Sequence, residues 1–215
     1  MKGNILVGQS GGPTTVINAS LAGVLSAAFN SEKIDTVYGM VNGIQGFMDE
    51  NVLNLTKEFK GNEKKLEHLR VTPSMYLGSC RYKLKDPKED SSDLERVFEL
   101  IKKYEIRYFL YIGGNDSMDT VAKLSAYAAS IGNDIRIIGV PKTIDNDLIM
   151  TDHTPGFGSA AKYIASSIRE IAYDTYIYDL ESVNIIEIMG RDAGWLTAAS
   201  VLARNEFSLA PHLIY

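Results

Sequence analysis

The run Pro141-Lys142-Thr143-Ile144-Asp145-Asn146-Asp147 gathers one cation and two carboxylates in a single stretch. Phosphoryl transfer asks for this combination: positive charge for the phosphate oxygens, a base for the attacking hydroxyl, and a loop that positions both. Lys142 would supply the charge and one aspartate the base. The plainer alternative is a turn closed by Asx hydrogen bonds, with its charges solvated. Gly8-Gln9-Ser10-Gly11-Gly12-Pro13-Thr14-Thr15 and Gly113-Gly114-Asn115-Asp116-Ser117 are glycine turns, each following an apolar run and opening a helical pattern. Such turns aim backbone N–H groups and the positive end of a helix dipole at a bound anion, and phosphate suits them. Neither is a dinucleotide fingerprint or a Walker A loop, because GxGxxG and Gly-Lys-Ser/Thr are absent. In the second turn Asp116 or Ser117 can cap the helix, and Asn115 and Asp116 can offer oxygens to hydrated Mg²⁺. Ile188-Met189-Gly190-Arg191-Asp192-Ala193-Gly194-Trp195 sets Arg191, able to fork onto a phosphate or carboxylate, between glycines that admit a ligand. A surface ion pair is the plainer role for Arg191. Trp195 is expected to pack the following helix, and His153, beside Asp152, to be a structural loop histidine. No Ser/His/Asp nucleophile arrangement and no Cys/His cluster occurs, so covalent catalysis and zinc chemistry have no support.

These loops need a frame. Short apolar runs at 5–7, 36–38, 108–112, 135–140 and 183–188 read as buried strands, and helical spacing marks 15–29, 93–104, 116–129, 159–173 and 194–204. Alternation of this kind predicts a doubly wound α/β fold with a mostly parallel sheet. Ligands of such sheets bind beyond the carboxyl ends of the strands, so the loops after Val7, Ile112, Val140 and Ile188 are expected on one rim. Residues 57–88, rich in charge, read as an excursion with a short helix. The stretch 208–215 looks like an incoming strand that stops at the last residue, which leads to the expectation of a truncated chain.

Of the 215 residues 45% are hydrophobic and 23% are charged, a balance that fits a folded α/β chain and excludes a disordered one. A net charge of −5 sets up no field for nucleic acid, so an anionic substrate must be held by local devices. The single cysteine, Cys80, allows no disulfide within the chain and points to a reducing compartment, the cytoplasm by default. No apolar run reaches the ~18 residues of a membrane span, and the opening segment meets Gly8 too early for a signal peptide.

Gly11-Gly12-Pro13 with Ile17-Asn18, Leu77-Gly78-Ser79-Cys80-Arg81, Gly113 to Ser117, Pro141 to Asp147 and Met189-Gly190-Arg191 together resemble the phosphofructokinase family, in the family's order and over nearly the entire chain. The resemblance implies that Asp145 is the general base for the C1 hydroxyl of fructose 6-phosphate, with Thr143 beside it holding the substrate. It implies that Met189, Gly190 and Arg191 contact the sugar phosphate. Gly11, Gly12, Arg81, Gly114, Asn115, Asp116, Ser117 and Lys142 would hold the phosphoryl donor, and Asn115, Asp116 and Asp147 would serve Mg²⁺. Lys142 and Arg191 join Asp145 as the catalytic set.

ATP-using members resemble Gly-Gly-Asp-Gly-Ser and Pro-Gly-Thr-Ile-Asp, whereas this chain has Asp116 and Lys142 at the telling places. That pattern resembles the pyrophosphate users: Asp116 would repel a nucleotide's α-phosphate and Lys142 would attract pyrophosphate. An ATP-dependent enzyme and a noncatalytic regulatory subunit of the same fold are the alternatives. Asn115 departs from the family's usual aspartate and is a neutral, weaker Mg²⁺ ligand; Ser182 stands where many members carry a basic residue. Full members extend well beyond this length and are expected to be homo-oligomers. The resemblance divides the chain into a donor-binding domain, 1–142, and the start of a sugar-phosphate domain, 143–215.

Overall fold

The structure, a computed structural model, describes residues 2–215. Its elements run β1 (Gly3–Gln9), α1 (Ile17–Phe29), β2 (Ile34–Met40), α2 (Gly43–Met48), β3 (Val52–Asn54), α3 (Leu55–Phe59) and α4 (Glu63–Val71). There follow α5 (Ser92–Lys103), β4 (Ile106–Gly113), α6 (Asn115–Ser130), β5 (Arg136–Pro141), α7 (Phe157–Tyr176) and α8 (Trp195–Ala199), with a 3-10 turn at Ser200–Ala203. The chain forms two compact units, Met1–Lys142 and Thr143–Tyr215.

In the first unit β1 alternates its side chains between two cores, Leu6 to one and Ile5 and Val7 to the other. A strand buried on both faces belongs inside a parallel sheet. β1 accordingly pairs in parallel with β2 on one side and β4 on the other, in a sheet of order β3-β2-β1-β4-β5. Helices α2, α5 and α6 cover the Leu6 face through Phe47, Leu94 and Leu124, and α1, α3 and α4 cover the other through Leu21, Leu55 and Leu69. The architecture is therefore doubly wound, as the alternation predicts. α5 shows how the sequence specifies such a helix: Leu94, Val97, Phe98 and Ile101 form one apolar face, Asp93 and Glu95 sit in the first turn, and Lys102 and Lys103 in the last. The acidic start and basic end complement the helix dipole.

Register sets the loops level. Gln9 lies opposite Ile112, and Gly113 opposite Pro141, so β1, β4 and β5 end together. The direction of winding reverses between β1 and β4, the switch point where such sheets bind ligands. The expected excursion at 57–88 is packed rather than pendant. It begins inside α3, carries the whole of α4, and buries Leu69, Leu77 and Leu84. A buried polar network ties it down: Gln9 Nε2 donates to Asn18 Oδ1 (3.1 Å), Asn18 Nδ2 donates to the Thr72 carbonyl (3.0 Å), and Gln9 Oε1 accepts from the Leu77 N–H (2.9 Å).

The second unit is built on α7, whose buried residues Ala161, Ala165, Ile168 and Ala172 recur at helical spacing. Small side chains allow close approach, and Arg169 donates to the carbonyls of Ala203 and Leu202. Three expectations are corrected here. Residues 183–188 form no strand, and Val183 and Ile185 are exposed. Apolar β-formers become a strand only beside a neighbour's backbone groups, and among the described residues no strand lies alongside them. The fifth strand of the sheet is instead the antiparallel β3. The helix expected over 194–204 is the short α8 followed by the 3-10 turn, with Leu196 buried and Trp195 half exposed. Residues 208–215 likewise form no strand beyond a single bridge from Ser208 to Asn205. No helix among the described residues is long and apolar enough to cross a membrane.

Replacing Asn18 by Ala leaves the Tyr76 N–H and the Thr72 carbonyl without their side-chain partner. The expected loss is roughly 1–3 kcal/mol of stability, read as a lower denaturation midpoint at unchanged slope.

Candidate functional site

The candidate residues fall into two clusters, one in each unit. In the first, the ends of β1, β4 and β5 are laced by backbone bonds: Ser10 N–H to the Ile112 carbonyl (2.9 Å) and Lys142 N–H to the Gly113 carbonyl (3.0 Å). The Lys142 side chain then turns across the β1 loop, and its Nζ donates to the Gly12 carbonyl at 2.7 Å. Lys142 is only 4% exposed, so its ammonium is held rather than trailing in solvent. Gly11 is required beside it. Its φ is +80°, and a Cβ there would stand 3.1 Å from Lys142 Nζ. A Cβ at Gly113 would collide with the buried Ser117 hydroxyl, so this turn requires glycine at that position. Lys142, Gly11, Gly12 and Gly114 are thus brought together as a cationic cradle at the switch point.

The helix cap departs from expectation. Gly114, not Asp116 or Ser117, holds the N-cap position of α6, and no side chain caps it. Asn115 and Asp116 are exposed in the first turn of α6, and Asp116 Oδ1 meets Lys83 Nζ at 3.1 Å. The segment from Ser79 to Lys85 forms a strap at this edge: Ser79 Oγ donates to the Gly11 carbonyl (2.7 Å) and Ser10 Oγ to the Cys80 carbonyl (3.2 Å). Arg81 follows at the surface. Burial alone would raise the Cys80 thiol, yet the backbone N–H groups of Gln45 and Tyr82 and the hydroxyls of Tyr111 and Ser10 bring it below its ordinary value. Burial also raises the Tyr111 phenol far above its usual range, so it stays neutral while it accepts from the Ile44 N–H at 3.0 Å.

In the second unit the loop after Thr143 is closed on itself. Thr143 Oγ accepts from the Asp145 N–H (3.0 Å), and Thr154 Oγ donates to the Thr143 carbonyl (2.8 Å). Asn146, buried and with a left-handed φ of 57°, is the clasp: Nδ2 donates to the Asp152 carbonyl (3.0 Å) and Oδ1 accepts from the Thr154 N–H (2.9 Å). The Asp145 carboxylate, largely shielded, faces Arg191 with 3.8 Å between Oδ2 and Nε. Arg191 itself takes a left-handed φ of 53° after the buried Gly190, while Met189 is exposed. Asp145, Thr143, Gly190 and Arg191 therefore share one locality, and Asp147 lies two residues along the same loop. His153 is exposed beside the Phe157 ring at 6.1 Å. Sequence reasoning gives Lys83 no role and Asn146 none of its own, although the turn closed by Asx hydrogen bonds, the plainer alternative for this run, is the signal for the second.

Oxygen donors suited to Mg²⁺ are present as the exposed Asn115 and Asp116, and the described residues contain no group of three or more His, Cys, Asp or Glu that could hold a metal ion alone. One carboxylate completed by waters and substrate phosphates is how Mg²⁺ is commonly held, so the donor set fits that ion.

The family model for phosphofructokinase matches residues 4–212. A pyrophosphate--fructose 6-phosphate 1-phosphotransferase from Xanthomonas campestris is 48% identical over 99% of this chain. Its counterpart from Rhodospirillum rubrum is 45% identical over 100% of this chain. The crystal structure of a pyrophosphate-dependent phosphofructokinase from Nitrosospira multiformis superposes with a TM-score of 0.85 at 43% identity over 95% of this chain and 50% of that one. The chain spans about half the length of the curated relatives it matches, 50% in each of these two.

Asn146→Ala removes both clasp bonds. Hydrogen exchange at the Thr154 amide should accelerate by about tenfold or more, with amides of β1 and β4 unaffected.

Proposed function

Because the chain belongs to the phosphofructokinase family, we propose that it carries the donor-binding and base-bearing loops of an enzyme that transfers a phosphoryl group from pyrophosphate to fructose 6-phosphate. One observation carries the reading of the donor: the Lys142 ammonium seated on the Gly12 carbonyl, beside Gly11 and Gly114. A cation fixed among open backbone glycines suits a small, highly charged anion with no base or ribose to accommodate. Asp116 is exposed at the start of α6, where in this reading it would stand in the way of a nucleotide's α-phosphate. The names of the relatives from Xanthomonas campestris and Rhodospirillum rubrum support the same donor and acceptor.

In this reading the first unit takes the donor, through Gly11, Gly12, Arg81, Gly114, Asn115, Asp116, Ser117 and Lys142. The second unit takes the acceptor, through Thr143, Met189, Gly190 and Arg191. Asp145 accepts the proton of the sugar's C1 hydroxyl. The freed oxygen bonds to the terminal phosphorus of pyrophosphate while the bridging P–O bond breaks, leaving inorganic phosphate and fructose 1,6-bisphosphate. Arg191 and Lys142 counter the phosphate charges on the two substrates. Mg²⁺ is the proposed cofactor, with Asn115 and Asp116 of the first unit as oxygen donors; when bound it would neutralise charge on the phosphate oxygens. The single free thiol, Cys80, suits a reducing cytoplasm.

The test is a donor comparison with the intact protein. Fructose 6-phosphate should be phosphorylated with pyrophosphate and not with ATP; robust use of ATP without pyrophosphate overturns the donor assignment. Asp145→Asn should lower kcat by roughly 10²–10⁴-fold at an unchanged melting temperature. A variant that keeps full turnover removes Asp145 from the role of base.

A further inference from the structure

Lys83 belongs to none of the motifs that carry the family resemblance. We propose that it is a positioning residue for the donor: by pairing with Asp116 it cancels the charge this carboxylate would present to incoming pyrophosphate, while keeping the carboxylate in place against a bulkier donor. The inference rests on the pyrophosphate reading above.

It starts from a conflict within the cradle. Asp116 lies in the first turn of α6, where a carboxylate is drawn to the same positive helix end that would attract phosphate. A side chain that discourages a nucleotide by its charge also discourages pyrophosphate, since both donors are anions. Obstruction distinguishes the two; bare charge does not. The cation that serves the cradle, Lys142, is seated at the Gly12 carbonyl. The group in contact with the Asp116 carboxylate is Lys83, at 3.1 Å.

An exposed lysine–aspartate pair ordinarily does little, because two flexible side chains must be held in one geometry and salt screens them. Here the backbone on both sides of Lys83 is anchored. Tyr82 Oη donates to Asp93 Oδ2 at 2.8 Å, and the Lys85 N–H donates to the same oxygen at 3.1 Å, with Asp93 itself buried. The Leu84 side chain is in the core, and its carbonyl accepts from Lys123 Nζ at 3.1 Å. Lys123 also pairs with Asp119 at 3.1 Å. Asp116, Asp119 and Lys123 recur at helical spacing, so the strap lies along a single face of α6. At its other end Ser79 and Cys80 are tied to the Gly11 and Ser10 loop. Lys83 is thus delivered toward Asp116 by a backbone fixed at the cradle, at α5 and at α6, which leaves only side-chain freedom to be lost in pairing.

The experiment is a double-mutant cycle in the intact protein, using Lys83→Met, Asp116→Asn and the pair together, with Lys83→Arg as the conservative variant. Steady-state kinetics with pyrophosphate are read together with calorimetric binding of pyrophosphate alone. Lys83→Met should raise KM and the calorimetric Kd for pyrophosphate by roughly tenfold, with kcat within about twofold, and added salt should shrink the difference. Lys83→Arg should sit near the unaltered protein. In magnesium-free calorimetry, where Asp116 serves no metal, adding Asp116→Asn to Lys83→Met should restore much of the lost affinity for pyrophosphate, because the uncompensated carboxylate has gone. A purely structural role would lower kcat and thermal stability and give no such rescue. An unchanged KM in Lys83→Met, or strictly additive effects, overturns the proposal and leaves the pyrophosphate reading standing. Failure of the unaltered protein to use pyrophosphate overturns both.

Discussion

A lysine ammonium removed from water needs an oxygen to face, and in this chain the oxygen is the Gly12 carbonyl, 2.7 Å from Lys142 Nζ. That contact constrains everything around it. Gly11 must turn with positive φ and without a Cβ, because the ammonium occupies the space a side chain would need. The Lys142 backbone must follow the last residue of β5, and its N–H fastens to Gly113 at the end of β4. β1, β4 and β5 must therefore end level, which the parallel register of the sheet delivers. A cation held this way does not reorganise when an anion arrives, and preorganisation of this kind is the larger part of electrostatic binding and catalysis.

The support behind the cradle is polar rather than greasy. Gln9 and Asn18 are buried, yet their amide groups are matched to backbone partners in the segment 72–77, and that segment leads into the strap at Ser79 and Cys80. Apolar packing alone would hold such a loop at the right depth without fixing its register, whereas a fully satisfied amide network admits one alignment. The same logic recurs in the second unit, where Asn146 clasps the loop that carries Asp145. In both places an amide side chain substitutes for the regular ladder that a loop cannot form.

Much of this frame is legible in the sequence because it rests on local pattern. β1, β2, β4 and β5 overlap the apolar runs that mark them, and α1, α5, α6 and α7 follow helical spacing to within a few residues. The glycine turns after β1 and β4 are legible for the same reason: a strand end, a glycine and a helix start are neighbours in sequence. What escapes is anything decided by a distant partner. β3 is too short for a pattern and exists because β2 offers an edge. Residues 183–188 have the composition of a strand and no described strand alongside them, so composition misleads. Gly114 takes the cap position where Asp116 or Ser117 was the chemical expectation, since Ser117 is buried against Gly113 and Asp116 turns to Lys83. Lys83 has unremarkable neighbours, and Asn146, although it stands between two aspartates, gives no sign of its partners in the sequence; only folding reveals what each one touches.

A chain with a net charge of −5 that is read as binding a polyanion must separate local from global electrostatics. Screening limits the reach of exposed charges to about 8–10 Å at physiological salt, so the acidic excess elsewhere on the surface matters little at the cradle. What matters is the sign of the few groups within that radius and how firmly each is fixed. Lys142 is fixed by a carbonyl, and the N–H groups at the start of α6 are fixed by the helix itself. Asp116 is the single carboxylate in the Gly113 to Ser117 turn, and its charge is met by a lysine on an anchored strap. A negative group can then contribute shape without contributing net repulsion, so an acidic side chain is compatible with the proposed binding of a small, highly charged donor.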